Sequence, residues 1–146
     1  MKSLWSGMAG ALALTAAHQA VNRLRGDAPR MDLLGSEVLA KLAAKAGVRV
    51  SPRGRGVRVV ALVGDLLANG LFYSLAGRTR HRWRGGLLLG SAAGAGAVLL
   101  PGPLGLTAAY ATRTRVTSLT AFGLYFLGGV VAAGASHVFS APGEAD

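Results

Sequence analysis

Four long apolar stretches limit what this chain can fold into. No Asp, Glu, Lys or Arg occurs in residues 3–22, 85–112 or 116–143, and residues 59–77 carry one charge, Asp65. Apolar runs of about 18 residues or more are typical of membrane-spanning helices. Because these stretches lack the alternating pattern of barrel strands, they predict helices.

The composition also favours a membrane protein. The 146 residues are 51% hydrophobic and 15% charged, with a mean hydropathy of +0.42, whereas about a quarter of a soluble domain is charged. On a soluble protein the net charge of +10 would indicate nucleic acid. Here the Lys and Arg residues lie between the apolar stretches, as in loops that face anionic lipid. We therefore expect the lipid bilayer, and no nucleic acid, as a partner.

We predict an all-α membrane protein with about four transmembrane helices in a single domain, residues 1–146. The spans are predicted at residues 4–22, 59–77, 86–108 and 117–138, with an interfacial amphipathic helix at residues 32–47 between the first and the second. The third span is predicted to be broken at Pro101 and Pro103, because a proline ring cannot continue a helix. The first stretch also fits a signal sequence that begins at Lys2, but we favour an uncleaved helix.

The interfacial helix is predicted from its ends and its charges. Asp32 is placed to cap its start, and Gly47 is a plausible stop just past its end. Glu37 and Lys41 are four residues apart, a spacing at which opposite charges pair on a helix. A basic amphipathic helix between two spans typically lies on the membrane surface.

The distribution of Lys and Arg predicts the orientation in the cell membrane, which is the inner membrane if the protein is bacterial. Residues 23–58 form the main basic loop, with nine Lys or Arg, and positive loops stay in the cytoplasm. Both termini are then predicted outside. Four arginines also fall outside, as an exception to this rule. Guanidinium groups match phosphate geometry, so this cluster predicts a phosphate or lipid head-group site, or else an interfacial anchor. Its members are Arg78, Arg80, Arg82 and Arg84.

Asp65 is the ionisable residue that most needs an explanation. A carboxylate at membrane depth costs about 2.5–3.5 kcal/mol on insertion scales, so it must be paired, hydrated or protonated. Helical spacing places Asn69 and Tyr73 on the same face as Asp65, and His18 of the first span lies at similar depth. These four residues predict a ligand or ion path. The alternative is one buried polar contact that orients two helices.

Glycines at four-residue spacing predict a close contact between helices. Gly86, Gly90 and Gly94 form such a stripe on the third span, and small residues at this spacing let helices approach closely in lipid. The contact is expected within the protein or between copies. We therefore expect a homo-oligomer or a partner membrane subunit.

The sequence excludes several chemistries. With no cysteine there are no disulfides, thiolate metal sites or cysteine nucleophiles. With three histidines in all, we expect no metal and no cofactor. The nucleophile pattern GxSxG is absent, so we expect no catalytic residues and favour a protein that is not an enzyme. The predicted function is a transporter or channel-like role for an ion, a proton or a small ligand at Asp65. The alternatives are a non-catalytic membrane scaffold or accessory subunit and, third, a lipid-modifying or lipid-binding membrane protein.

Overall fold

The computed structural model describes residues 1–139, which contain helices and turns and no strand. The all-helical prediction is confirmed. A 3-10 turn, Ala76–Arg78, follows the third helix. The acidic end of the chain, residues 143–146, was predicted outside the cell and lies beyond the described residues. The helices of the described part are α1 Lys2–Leu24, α2 Met31–Lys45, α3 Arg55–Ser74, α4 Arg82–Leu99, α5 Ala109–Thr112 and α6 Arg115–Val138.

Helices α1, α3, α4 and α6 form an antiparallel bundle. Helix α6 packs along both α4 and α1, and α1 also packs along α3, whereas α3 and α4 barely touch. The bundle is therefore open between α3 and α4. The short helix α2 packs against α3.

The loops fall at two ends of the bundle. At one end, which we call the α2 end, the Arg30 N–H donates to the Tyr110 carbonyl at 2.8 Å. At the same end the Thr117 hydroxyl donates to the Asp27 carbonyl at 2.9 Å. At the other end, which we call the Trp83 end, the Trp83 ring stacks on His137 with centroids 5.7 Å apart. The main basic loop therefore lies at the α2 end, and the start of α1 and the end of α6 lie together at the Trp83 end.

Small residues bring the long helices close together. A methyl group added at Gly90 would lie 2.9 Å from the Phe126 carbonyl oxygen, and one at Gly86 would lie 2.6 Å from Ala133 Cβ. Gly94 is likewise pressed against Phe122. All three glycines of the predicted stripe therefore contact α6 of the same chain. The stripe is used within the protein and does not by itself require a second copy.

Two helical segments, Arg55–Arg78 and Arg115–Val138, are long and apolar enough to cross a membrane among the residues described. Within an apolar stretch of 18 residues in each segment, only 28% of the first and 39% of the second is buried inside the protein, whereas the core helix of a soluble protein is mostly buried. The exposed side chains on α3 include Val60, Leu67 and Leu71, and a large exposed apolar face marks a membrane or partner contact. These observations favour a membrane location. Helix α1 carries several polar residues and α4 begins with arginines, and neither meets the same criterion, so four spans remain a prediction.

Helix α2 confirms part of the sequence prediction and corrects another part. Glu37 and Lys41 pair at 3.6 Å. Gly47 has a φ of +81° and follows the last turn, where its left-handed conformation ends the helix. The prediction that Asp32 caps the start is wrong. The N-cap is Arg30, without a side-chain cap bond, and Asp32 lies inside the first turn, where its carboxylate accepts from Arg30 Nε at 3.4 Å.

The third predicted span, residues 86–108, is a helix followed by a loop. Helix α4 ends at Leu99, and the loop after it turns at Gly105, whose φ is +69°. Two side chains of α2 hold this loop. The Lys41 ammonium donates to the Gly105 carbonyl, and the Thr107 N–H donates to a Glu37 carboxylate oxygen at 2.9 Å.

Candidate ligand site at Asp65

The gap between α3 and α4 forms a cleft of about 600 Å³, which we call the apolar cleft. Helix α6 closes its back, and α2 and the loop after α4 close it at the α2 end. The residues of α4 that face the cleft are alanine and glycine, and their small size leaves space between α4 and α3. The lining residues are Met31, Leu34, Gly35, Val38, Asp65, Ala68, Asn69, Phe72, Ala92, Ala93, Gly96, Ala97, Leu100, Pro101, Leu104, Leu106 and Tyr125.

Asp65 is the charged residue in this lining. It lies about 15 Å from the start of α3, near the middle of a helix about 30 Å long. Its carboxylate oxygen Oδ1 accepts from the Asn69 amide nitrogen at 2.9 Å, and the same amide donates to the Asp65 backbone carbonyl at 2.9 Å. The side chain is exposed within the cleft. The predicted neighbours Asp65 and Asn69 are therefore brought together by one turn of helix.

A second, much smaller pocket lies behind Asp65 and is called the polar cavity. Its volume is about 30 Å³, which is room for about one or two water molecules. Helices α1, α2, α3 and α6 all contribute to it. Asp65 and Tyr125 line both the cavity and the apolar cleft, so Asp65 lies where the two meet. The other polar residues that line the cavity are Thr15, His18, Gln19 and Asp32.

His18 faces the polar cavity but does not pair with Asp65. The His18 Nε2 atom lies 2.8 Å from the Pro29 carbonyl oxygen and 2.9 Å from the Asn22 amide nitrogen. Because a carbonyl only accepts, the Pro29 contact requires the proton on Nε2. The Asn22 amide nitrogen is itself a donor and cannot bond to the same Nε2 in that tautomer. The structure thus places His18 and Asp65 across a shared cavity, each with its own hydrogen-bond partner.

Tyr73 is separated from the other predicted path residues. It is fully buried, and its hydroxyl donates to the Tyr125 carbonyl at 2.7 Å. Its ring fills the space beside Gly128 of α6, and it lines neither the apolar cleft nor the polar cavity. The structure places Tyr73 in the contact between α3 and α6.

The arginine cluster lies at the Trp83 end of the bundle. Asp65 lies near the middle of α3, so the cluster and Asp65 are far apart. Arg82 is partly buried, and its Nη1 donates to the Ser136 carbonyl at 3.3 Å. Arg78, Arg80 and Arg84 are exposed. Trp83 is half-exposed beside them, a position that suits the membrane interface.

Charged groups at the α2 end make ion pairs and hydrogen bonds. Arg25 donates two bonds of 3.0 Å to the Asp27 carboxylate, and these hold the pKa of Asp27 below its ordinary value. Partial burial of Glu37 favours its neutral form. The Thr107 N–H and the Lys41 ammonium outweigh this effect and lower the pKa of Glu37.

Most residues that line the apolar cleft could not be predicted from the sequence. Tyr125 borders both pockets and was not among the predicted site residues. The signal that could have found it is the helical spacing that places it on one face of α6 with Ser118 and Ser136. Gly35 of α2 and Leu104 of the loop gave no signal, because they reach the cleft only through the way the loop folds back on α2. No protein-family model, curated protein or solved structure matches the chain. Within residues 1–139 no cluster of acidic or histidine side chains is arranged to hold a metal ion.

Proposed function

We propose that this is an integral membrane protein that binds an ion or small ligand at Asp65 and carries it in a transporter or channel-like role. The observation that supports the proposal is the position of Asp65. Its carboxylate lies at the middle of an apolar helix, where a wide cleft and a small polar cavity meet. A charge at that depth is costly unless a partner or water compensates it, and the bound ligand supplies that compensation.

The proposal includes four spans, with α1 and α4 beside α3 and α6. Glycine contacts between the helices support this, because close packing of small residues is typical of helices in lipid. The main basic loop then lies in the cytoplasm, with the Trp83 end outside. The polar cavity lies on the α2 side of Asp65, so the ligand reaches the Asp65 side chain from the cytoplasmic half of the membrane.

Flux through reconstituted vesicles tests the proposal. Wild-type protein in proteoliposomes should move a proton, an alkali cation or a small organic ion, and Asp65→Asn should abolish that movement. Asp27→Asn is the matched control, because it removes a carboxylate that lies outside the site. Both variants should elute and melt like wild type. Flux that is equal in wild type and Asp65→Asn contradicts the proposal.

A scaffold role is the second candidate, and one observation favours it. Tyr73 and the glycines of α4 and α6 lie in close contacts between helices. If Asp65 also serves packing, Asp65→Asn would reduce assembly or stability without any transport activity to lose. A melting temperature several degrees lower than that of Asp27→Asn, together with absent flux in wild type, would favour the scaffold.

The lipid-binding alternative rests on the arginine cluster. Replacing Arg78, Arg80, Arg82 and Arg84 by Gln and measuring the anionic lipid that co-purifies tests it. A lower content of anionic lipid in this variant supports a head-group site, and an unchanged content contradicts it.

A further inference from the structure

We propose that the ligand of the apolar cleft is a lipophilic organic monocation, an ammonium or phosphonium group on an apolar body. The cation contacts the Asp65 carboxylate, and the body lies between α3 and α4. This inference rests on the proposed function and names the ligand class of the same site.

The size and lining of the cleft indicate an apolar body. A volume of about 600 Å³ falls in the range of about 300–1,000 Å³ that is typical of small-molecule sites. The walls are mostly aliphatic and also include Phe72 and Tyr125. A bare metal ion would need several oxygen ligands, whereas the polar side chains in this lining are Asp65, Asn69 and Tyr125. A large apolar ligand uses the cleft better than a small ion does.

The charge of the site indicates a cation. Three of the four described carboxylate side chains pair with a basic residue: Asp27 with Arg25, Asp32 with Arg30, and Glu37 with Lys41. Among residues 1–139 only Asp65 lacks such a partner, although the chain carries a net charge of +10. The attraction between a carboxylate and a cation strengthens in surroundings of low dielectric. The lining also contains Phe72 and Tyr125, and the faces of aromatic rings attract cations.

The lining argues against a phospholipid as the occupant. No Lys, Arg or His of residues 1–139 lines the cleft, so a phosphate group would have no cationic partner among them and would lie near the Asp65 carboxylate. Lys41 reaches the loop that borders the cleft, but it is bonded to Gly105 and Glu37. A free monocation therefore fits better than a lipid head group.

Two probes of the same shape and opposite charge test the ligand class. Purified full-length protein in nanodiscs is titrated with tetraphenylphosphonium and with tetraphenylborate, and binding is measured by calorimetry. We expect wild type to bind the phosphonium and Asp65→Asn to bind it at least about tenfold more weakly. Asp65→Glu keeps a carboxylate and should bind the phosphonium more tightly than Asp65→Asn does. The control Asp27→Asn, outside the site, should bind like wild type. Tetraphenylborate should not bind wild type more tightly than it binds Asp65→Asn.

A second variant tests the place of the apolar body without touching Asp65. Ala97 lines the cleft, and Ala97→Phe fills part of it. This change should weaken tetraphenylphosphonium binding about tenfold or more. Leu88 is exposed on the outside of the same helix, and the control Leu88→Phe should have no effect. Equal affinity in Ala97→Phe and Leu88→Phe would overturn the placement of the body in the cleft.

The outcomes separate this inference from the proposed function. Equal phosphonium binding by wild type and Asp65→Asn overturns the ligand class. If wild type instead binds sodium or releases a proton in an Asp65-dependent way, the ligand class fails and the proposed function stands. If Asp65→Asn changes the binding of neither phosphonium nor any inorganic cation, both the ligand class and the proposed function fail. Displacement of bound phosphonium by phosphatidylethanolamine nanodiscs, but not by lipid-free amines, would assign the cleft to a lipid and overturn the inference.

Discussion

Asp65 and Tyr73 lie two turns apart on α3 and have opposite surroundings. Asp65 is exposed in the apolar cleft and lacks a basic partner among the described residues. Tyr73 is fully buried and donates to the Tyr125 carbonyl. Since each residue turns a helix by about 100°, Tyr73 lies about 80° around from Asp65, whereas Phe72 lies within about 20° of it. That difference places Phe72 in the cleft and Tyr73 in the packing between helices.

Removing the Tyr73 hydroxyl should lower stability without affecting ligand binding. Tyr73→Phe deletes one hydrogen bond of 2.7 Å, which is worth about 0.5–1.5 kcal/mol. Reversible unfolding in mixed detergent micelles would measure the loss. Tyr110→Phe is the control, because its hydroxyl has no protein partner within residues 1–139. A Tyr73→Phe protein as stable as Tyr110→Phe, or one that no longer responds to ligand, would contradict this placement.

The contact between α4 and α6 depends on glycine at specific positions. Gly90→Ala would place a methyl group 2.9 Å from the Phe126 carbonyl oxygen and 3.1 Å from Phe126 Cα. Because both atoms belong to the backbone, the helices must move apart, and we expect a loss of about 1–3 kcal/mol. The free energy of unfolding in detergent is the quantity to compare.

Gly123→Ala is the matched control on α6. Apart from the neighbouring backbone of α6 itself, no atom of residues 1–139 lies within 4 Å of the position that its methyl group would take. Alanine is favoured over glycine inside a helix by about 0.5–1 kcal/mol, so this variant should be as stable as wild type or more so. Equal losses in Gly90→Ala and Gly123→Ala would mean that α4 and α6 do not pack through these glycines.

The fastening of the loop after α4 to α2 should depend on pH. The pKa of Glu37 is lowered in the folded protein from an ordinary value of 4.5. Its contribution to stability is therefore complete above about pH 4.5 and is lost as the pH falls through the lower, folded-state pKa. Melting temperatures of wild type and Glu37→Gln, recorded from pH 7 to pH 3, measure this contribution. The difference between the two proteins should shrink in acid. Parallel curves over the whole range would show that Glu37 does not hold the loop.

Local spacing predicted part of the site, and the packing of the whole molecule determined the rest. The four-residue spacing of Asp65 and Asn69 was enough to place them together, as was that of Glu37 and Lys41 for their ion pair. The glycine stripe predicted a close helix contact, but its partner, α6, could not be identified from a single stretch. The apolar cleft exists because α3 and α4 fail to touch, and no feature of either helix alone shows that. The break at Pro101 was foreseen, whereas the return of the loop to α2 depends on contacts between residues about 70 positions apart.

The most direct test asks whether water reaches Asp65 inside a membrane-spanning helix. The chain has no cysteine, so Asp65→Cys and Leu67→Cys each introduce a single thiol. Leu67 is half-exposed on α3 but does not line the cleft. The measurement is the rate at which a water-soluble, membrane-impermeant methanethiosulfonate reagent modifies each thiol in open membrane fragments. We expect rapid modification at position 65 and protection by lipid at position 67. Equal modification at both positions would contradict the membrane span, and protection at both would contradict an accessible site.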